Sequence, residues 1–171
     1  CGLRELRGFN PYNSRNPRLI PSCFGILPGL FQYGVFLMPY LPEIFDRAVT
    51  NNSSRLALVE DANRWTFSEL SDEVNRIAGL LQASVKGDTV GVLLLNSQKY
   101  IATMLAIWKA GKTAVPLNYL LPPAELGFII KDSGMSALVS SQFFAQAIAG
   151  VKPLFGEKGV VLMADDPAFM S

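Results

Sequence analysis

The chain has 171 residues, of which half are hydrophobic and only 17% are charged, and its net charge is +1. This length is enough for one domain with a hydrophobic core, and the composition excludes a disordered chain. The near-neutral charge, with Lys and Arg scattered along the sequence, argues against a nucleic-acid partner.

Residue types narrow the chemistry further. There is no histidine, which excludes histidine-containing nucleophile pairs and metal sites. The two cysteines, Cys1 and Cys23, form neither a disulfide framework nor a metal-ligand spacing. Sparse cysteine favours a reducing, cytoplasmic location.

Residues 1–40 differ from the rest, and we predict an irregular N-terminal extension there. Asn, Arg, Pro and Gly punctuate residues 8–22, and the apolar segment 24–41 is interrupted by two prolines and two glycines. A membrane-spanning helix requires about 20 apolar residues, so no transmembrane span is expected. Contact of 24–41 with a membrane surface remains an alternative.

Regular elements begin at Leu41. A helix is predicted over 42–49, with an apolar face of Ile44, Phe45, Ala48 and Val49, and a loop over 51–54. Strands over 56–60 and 64–67 should pair as a hairpin across the turn at 61–63.

A second helix should follow the hairpin directly. Thr66 and Glu69 have the spacing of a capping box. The apolar positions after them recur at helical intervals and predict a buried face: Leu70, Val74, Ile77, Ala78 and Leu81.

From residue 88 onward strands and helices alternate. Short apolar runs predict strands over 88–95, 113–117, 136–140 and 159–164. Helices are expected from the caps Asn96 and Ser97 to Ala110, from Pro122 and Pro123 through Asp132 with Gly134 closing it, and after Ser141, the last with Phe143, Phe144, Ala147 and Ile148 inward. The order predicts an α/β fold: a mainly parallel sheet flanked by helices, preceded by the hairpin.

Several residues are candidates for ligand contact. Asp165 and Asp166 follow a strand end, where open α/β sheets place ligands, although a solvated loop is the simpler interpretation. Ser97 also follows a strand, but we expect it to cap a helix. Trp65 and Trp108 are potential stacking residues, with a core position favoured for Trp108.

Tyr119 and the sequence Gly111-Lys112-Thr113 are two further candidates for ligand contact. Tyr119 lies in a loop after a strand and either lines a pocket or anchors the loop. Gly111-Lys112-Thr113 has the last three letters of a phosphate-binding loop, but the position of the required earlier glycine is Ala106, inside a predicted helix. We therefore assign it no phosphate role.

Two motifs carry a family resemblance. Residues 65–70, Trp-Thr-Phe-Ser-Glu-Leu, resemble the aromatic-Thr-aromatic-x-Glu-Leu motif near the front of AMP-forming adenylating enzymes. Residues 108–118, Trp-Lys-Ala-Gly-Lys-Thr-Ala-Val-Pro-Leu-Asn, resemble that family's Lys-Ala-Gly-x-x-x-Val-Pro-Leu-Asn motif. The resemblance extends over about residues 41–164, and Leu120-Leu121-Pro122-Pro123 is most similar to the fatty-acyl-CoA synthetases.

The resemblance implies a two-step activity for a full-length protein. A carboxylic acid, here an acyl chain, would form an acyl-adenylate from ATP with Mg²⁺, and a thiol such as coenzyme A would accept the acyl group. The family's phosphate loop, ribose-binding Asp and adenylation Lys come after the region covered here. We therefore assign no catalytic, cofactor-binding or metal-binding residue to this chain, and we expect no cofactor to bind it.

The resulting interpretation divides the chain into the extension 1–40 and a truncated N-terminal part of an AMP-binding adenylation domain over 41–171. We expect this part to be inactive alone, as a portion of a fatty-acid–CoA ligase. The alternatives are a non-catalytic binding or docking module derived from that family, or an unrelated flavodoxin-like domain.

Overall fold

The computed structural model describes residues 40–156 and 159–166. Helices are α1 (Leu41–Asn52), α2 (Phe67–Ser84), α3 (Gln98–Lys109), α4 (Pro123–Ser133) and α5 (Ala145–Val151). Strands are β1 (Leu56–Glu60), β2 (Asn63–Thr66), β3 (Thr89–Leu93), β4 (Thr113–Pro116), β5 (Ala137–Ser140) and β6 (Val160–Met163). Short 3₁₀ turns occupy Gln142–Phe144 and Lys152–Phe155.

Four of the strands form a parallel sheet in the order β4-β3-β5-β6. Val90 in β3 lies opposite Ala114 of β4 on one side and Ala137 of β5 on the other, and Ala137 lies opposite Val160 of β6. Strands β1 and β2 pair antiparallel as a separate hairpin. The predicted α/β class, with a parallel sheet and a preceding hairpin, is confirmed.

The hydrophobic core lies on both faces of the parallel sheet. One cluster joins α2 and α3 to the sheet through side chains such as Val74, Ile77 and Val92. The second joins α4 and α5 to the opposite face through Leu138, Ile130 and Ile148. This two-sided burial explains why the strands read as continuous apolar runs rather than as alternating sequences.

Several predicted helix boundaries are confirmed by their caps. The Thr66 hydroxyl accepts the Glu69 N–H and the Glu69 carboxylate accepts the Thr66 N–H, so the capping box is complete. The five predicted core positions of α2 are all buried. Gly134 ends α4 with a φ of 60°, in the left-handed region that glycine adopts without steric cost.

The predicted boundaries of the first helix and of the second strand are wrong. Helix α1 continues through Asn51 and Asn52, where a loop was expected. The Asn52 side chain donates to the Ala48 carbonyl at 3.1 Å, one turn earlier in the same helix. Ile44, assigned to the apolar face, is 46% exposed. Phe67 belongs to α2 rather than to β2, because the Thr66 cap already starts the helix.

The segment after β5 also departs from expectation. It begins as a 3₁₀ turn before α5, and the Ser141 side chain does not cap it. The tighter turn rotates the face that is buried, so Phe144 packs inward while Phe143 is 73% exposed. Trp108, expected in the core, is only half-buried.

The described residues contain no helix that is both long enough and apolar enough to cross a membrane. The predicted extension 1–40 and most of the apolar segment 24–41 lie outside the described residues.

Candidate functional site

The carboxyl ends of the four parallel strands lie side by side along one margin of the sheet, which we call the carboxyl edge. The strands end there at Leu93, Pro116, Ser140 and Met163. The chain leaves β3 toward the α3 face and leaves β5 toward the α5 face. Open α/β sheets bind ligands where neighbouring connections diverge in this way. At this point the buried Ser140 hydroxyl donates to the Leu93 carbonyl at 2.8 Å, which ties β5 to β3 beneath the edge.

The predicted candidates Asp165 and Asp166 lie at this edge, directly after β6. An Asp165 carboxylate oxygen accepts the Gln142 N–H at 2.8 Å and thereby caps the 3₁₀ turn that Ser141 leaves uncapped. Lys99 donates from its Nζ to the carbonyl of Ala164 at 3.0 Å. These contacts give Asp165 a structural role, in which it joins the segments after β5 and β6.

Ser97 and Gln98 form the start of α3 at the same edge. The Ser97 hydroxyl accepts the Tyr100 N–H at 3.2 Å, which confirms the predicted cap. A carboxylate oxygen of Glu60, at the end of β1, accepts the Gln98 N–H at 2.8 Å. The buried Gln98 amide donates to the carbonyls of Asn63 at 3.2 Å and of Leu58 at 3.5 Å. The hairpin is therefore fixed to the first turn of α3.

Sequence reasoning missed this contact between the hairpin and α3. Glu60 was predicted only as the last residue of a strand, and no contact was predicted for Gln98. The two residues are 38 positions apart, so no local spacing reports their contact. The sequence signal for this contact is weak. It consists of a carboxylate at the end of a predicted strand and a polar residue at the start of a predicted helix.

Two open clefts flank Tyr100 and Asn96. The first, of about 280 Å³, lies between the hairpin and α3 and is lined in part by Val59, Glu60 and Ile101. The second, of about 270 Å³, lies at the ends of β3 and β4 and includes Asn118 and Tyr119. The Tyr119 ring is also 5.9 Å from that of Phe144. Tyr119 thus both lines a cleft and anchors its loop.

Lys112, from the sequence that partly matches a phosphate-binding loop, lies away from this edge. Its Nζ donates to the carbonyls of Val85 at 2.9 Å and Gly87 at 2.8 Å, in the segment that precedes β3. The ammonium therefore joins connections at the amino ends of the strands.

The described residues supply little chemistry for a nucleotide or a metal. Across 40–156 and 159–166, no three Asp, Glu, Cys or His side chains come close enough to hold a metal ion. The Glu69 carboxyl has a pKa below its ordinary value, chiefly because it accepts the Thr66 N–H, but it belongs to the helix cap. Among the described residues, the carboxylates are therefore too far apart to fit Mg²⁺.

The open parallel sheet, its divergent connections and the attached hairpin define an open α/β fold, a class in which ligands commonly lie at the carboxyl ends of the strands. The family model described as AMP-binding enzyme matches residues 45–170, and the chain belongs to that family. The predicted family is confirmed, and the unrelated flavodoxin-like alternative is wrong.

Comparison with known proteins gives the same family. A mitochondrial malonate–CoA ligase from Homo sapiens is 31% identical over 132 residues, which cover 73% of this chain and 22% of the ligase. A medium/long-chain-fatty-acid–CoA/3-oxocholest-4-en-26-oate–CoA ligase from Mycolicibacterium smegmatis is 28% identical over 128 residues, which cover 74% of this chain and 23% of that ligase. The chain thus spans less than a quarter of these relatives.

Among solved structures, the N-terminal domain of FACL13 from Mycobacterium tuberculosis superimposes with a TM-score of 0.72 at 27% identity. The match covers 78% of this chain and 36% of that domain. The arrangement of hairpin, helices and parallel sheet described above is therefore a part of a larger family fold.

Proposed function

We propose that this chain is an N-terminal part of an ATP-dependent acyl-activating enzyme, a fatty-acid–CoA ligase that works through an acyl-adenylate. In this role the chain supplies scaffold: the sheet, its two helical layers and the hairpin attached to α3. The full-length protein would take ATP, Mg²⁺, a fatty acid and coenzyme A, and would act in the cytoplasm. The reacting groups would come from polypeptide other than residues 41–171.

The family match over residues 45–170 is the observation that carries this proposal. The choice of a fatty acid and of coenzyme A is supported by the relative that activates medium- and long-chain fatty acids. The structural roles of Asp165, Ser97 and Lys112 support the assignment of scaffold rather than chemistry, because each polar group is used to join backbone segments.

Inactivity of the isolated chain is directly testable. The purified 171-residue chain is incubated with ATP, Mg²⁺ and a series of fatty acids, and pyrophosphate release is followed with and without coenzyme A. We expect no turnover. Clear, acid-dependent pyrophosphate release would contradict the scaffold role.

The family-level activity is tested separately by transplantation. The segment of the Mycolicibacterium smegmatis ligase that matches this chain is replaced by residues 45–166, and acyl-CoA formation from fatty acids is measured. We expect a folded chimera that still forms acyl-CoA. A chimera whose circular dichroism and unfolding match the parent, but which forms no acyl-adenylate, would favour a non-catalytic docking module instead.

A further inference from the structure

Two polar contacts form a continuous link along the carboxyl edge. Lys99, in the first turn of α3, donates from its Nζ to the Ala164 carbonyl at 3.0 Å. A carboxylate oxygen of the next residue, Asp165, accepts the Gln142 N–H at 2.8 Å. Because Ala164 and Asp165 are adjacent in the chain, the two bonds connect α3 to the 3₁₀ turn that follows β5.

This link passes from one face of the sheet to the other. Ala164 is buried in the cluster that α2 and α3 form with the sheet. Phe144, in the 3₁₀ turn, is buried in the cluster on the opposite face. Residues 164–165, which we call the strap, therefore connect the two helical layers by a path outside the sheet.

The two ends of this path differ in how firmly they are held. The Ala164 N–H donates to the Ser140 carbonyl at 2.7 Å, which fixes the strap to β5. Asp165 and Gln142 are both exposed, and the Ser141 side chain supplies no cap for the three-residue turn. Segments with few buried contacts open most readily, so the turn is the end of the path that should respond to a change.

We propose that the strap couples the 3₁₀ turn after β5 to the first turn of α3. Lys99 holds the strap from one face, and Asp165 holds the turn on the other face. Loss of the Lys99 bond lets Asp165 move away from the Gln142 N–H, so the turn opens more often. Chains of hydrogen bonds carry coupling of this kind, and the coupling is reciprocal. The proposal rests on contacts within the described residues and does not depend on the enzymatic role proposed above.

Amide hydrogen exchange, followed by nuclear magnetic resonance, tests the coupling from α3 to the turn. Lys99→Met removes the ammonium and keeps an unbranched side chain. The Gln142 and Phe144 amides, which donate to Asp165 and to the Ser141 carbonyl, should exchange about 2- to 30-fold faster.

Lys109→Met is the matched control for this substitution. Lys109 lies in the last turn of the same helix, and its Nζ is 2.7 Å from a carboxylate oxygen of Asp46 rather than near the strap. The variant loses one contact of α3, as Lys99→Met does, but exchange at Gln142 and Phe144 should be unchanged. Equal acceleration in the two variants would overturn the proposal, because it would show a general loss of stability.

Asp165→Ala tests the coupling in the reverse direction. The Tyr100 amide donates to the Ser97 hydroxyl in the first turn of α3. If the strap couples the two segments, this amide should exchange faster in Asp165→Ala, while amides in the last turn of α3 should be unchanged. Exchange at Gln142 that is unaffected by Lys99→Met would overturn the proposal, and so would exchange at Tyr100 that is unaffected by Asp165→Ala.

Discussion

Glu69 is held in its charged form by the cap at the start of α2. Its carboxylate accepts the Thr66 N–H at 2.7 Å and the Thr66 hydroxyl at 2.9 Å, and the first of these bonds is the main reason that its pKa lies below the ordinary value. A depressed pKa means that the ionised form stabilises the folded chain above the unfolded pKa, and that this contribution is lost as pH falls through the folded pKa.

We therefore expect the effect of Glu69→Gln to depend on pH. The variant should unfold at a lower temperature than the unaltered chain at about pH 7, and the difference should shrink as pH falls through the ordinary glutamate range and below it, where the carboxylate of the folded chain becomes protonated. Thermal unfolding by circular dichroism over a series of pH values from 7 downward is the measurement. Glu125→Gln, in the first turn of α4, controls for loss of charge near a helix start; an equal effect there would contradict the role of the cap.

Thr103 in α3 buries a hydroxyl group. Its hydroxyl is fully buried and has no hydrogen-bond partner among the described residues. An unsatisfied buried hydroxyl costs about 1 kcal/mol or more, so Thr103→Val, which keeps the shape, should raise the free energy of unfolding by about that amount. Urea unfolding measures the change. Thr103→Ser keeps the hydroxyl and should not stabilise the chain; stabilisation by both variants would contradict this explanation.

At the residue scale, the sequence predicts helix caps, because each cap depends on residues that are close together in the chain. The Thr66 and Glu69 spacing, the Ser97 cap and Gly134 are each recognised within one helical turn, and each is confirmed. The contact of Asp165 with Gln142 spans 23 positions and has no local signature. The burial of Phe144 and the exposure of Phe143 were not predicted either, because the chain begins this segment with a 3₁₀ turn, and the carboxylate that caps the turn is distant in sequence.

At the element scale, the hairpin depends on α3. The Gln98 amide satisfies two hairpin carbonyls and Glu60 satisfies the Gln98 N–H, so the two elements share their polar groups. The strands themselves were predicted from turn and apolar patterns, but their attachment to α3 was not. An isolated two-stranded hairpin is marginally stable at best, so this attachment should determine whether β1 and β2 form.

We expect Gln98→Ala to loosen the hairpin. The variant loses the hydrogen bonds from the Gln98 amide to the Asn63 and Leu58 carbonyls, which should lower the free energy of unfolding by about 1–3 kcal/mol. Hydrogen exchange followed by mass spectrometry should be faster over residues 56–66. Gln82→Ala, at an exposed position of α2, is the matched control. Unchanged exchange in the hairpin would show that apolar packing alone holds it.

At the scale of the whole described structure, one sheet separates two hydrophobic clusters. Alternating strands and helices in the sequence predicted this layering, since each crossover returns the chain to a parallel strand. The strand order β4-β3-β5-β6 was not predicted, because apolar runs of similar length do not specify which strands become neighbours. The absence of catalytic residues stays a prediction.

The two clusters should unfold together because they share the strands of one sheet. Ile77 lies in one cluster and Ile130 in the other, and both are almost fully buried. Replacing either with Ala should cost about 2–5 kcal/mol. In each variant, amide protection in α2 and in α4 should be lost at the same denaturant concentration. Separate transitions for the two helices would show that the faces are independent.

The strand order also has a consequence for the nascent chain. Within the parallel sheet, synthesis delivers β3 first and then β4, whose Pro116 has no N–H to offer a further strand. The later strands, β5 and then β6, add on the other side of β3. During translation, the strand synthesised last is therefore the one with an unpaired side that other polypeptides can reach. First β5 and then β6 is in this position, until another strand pairs with it.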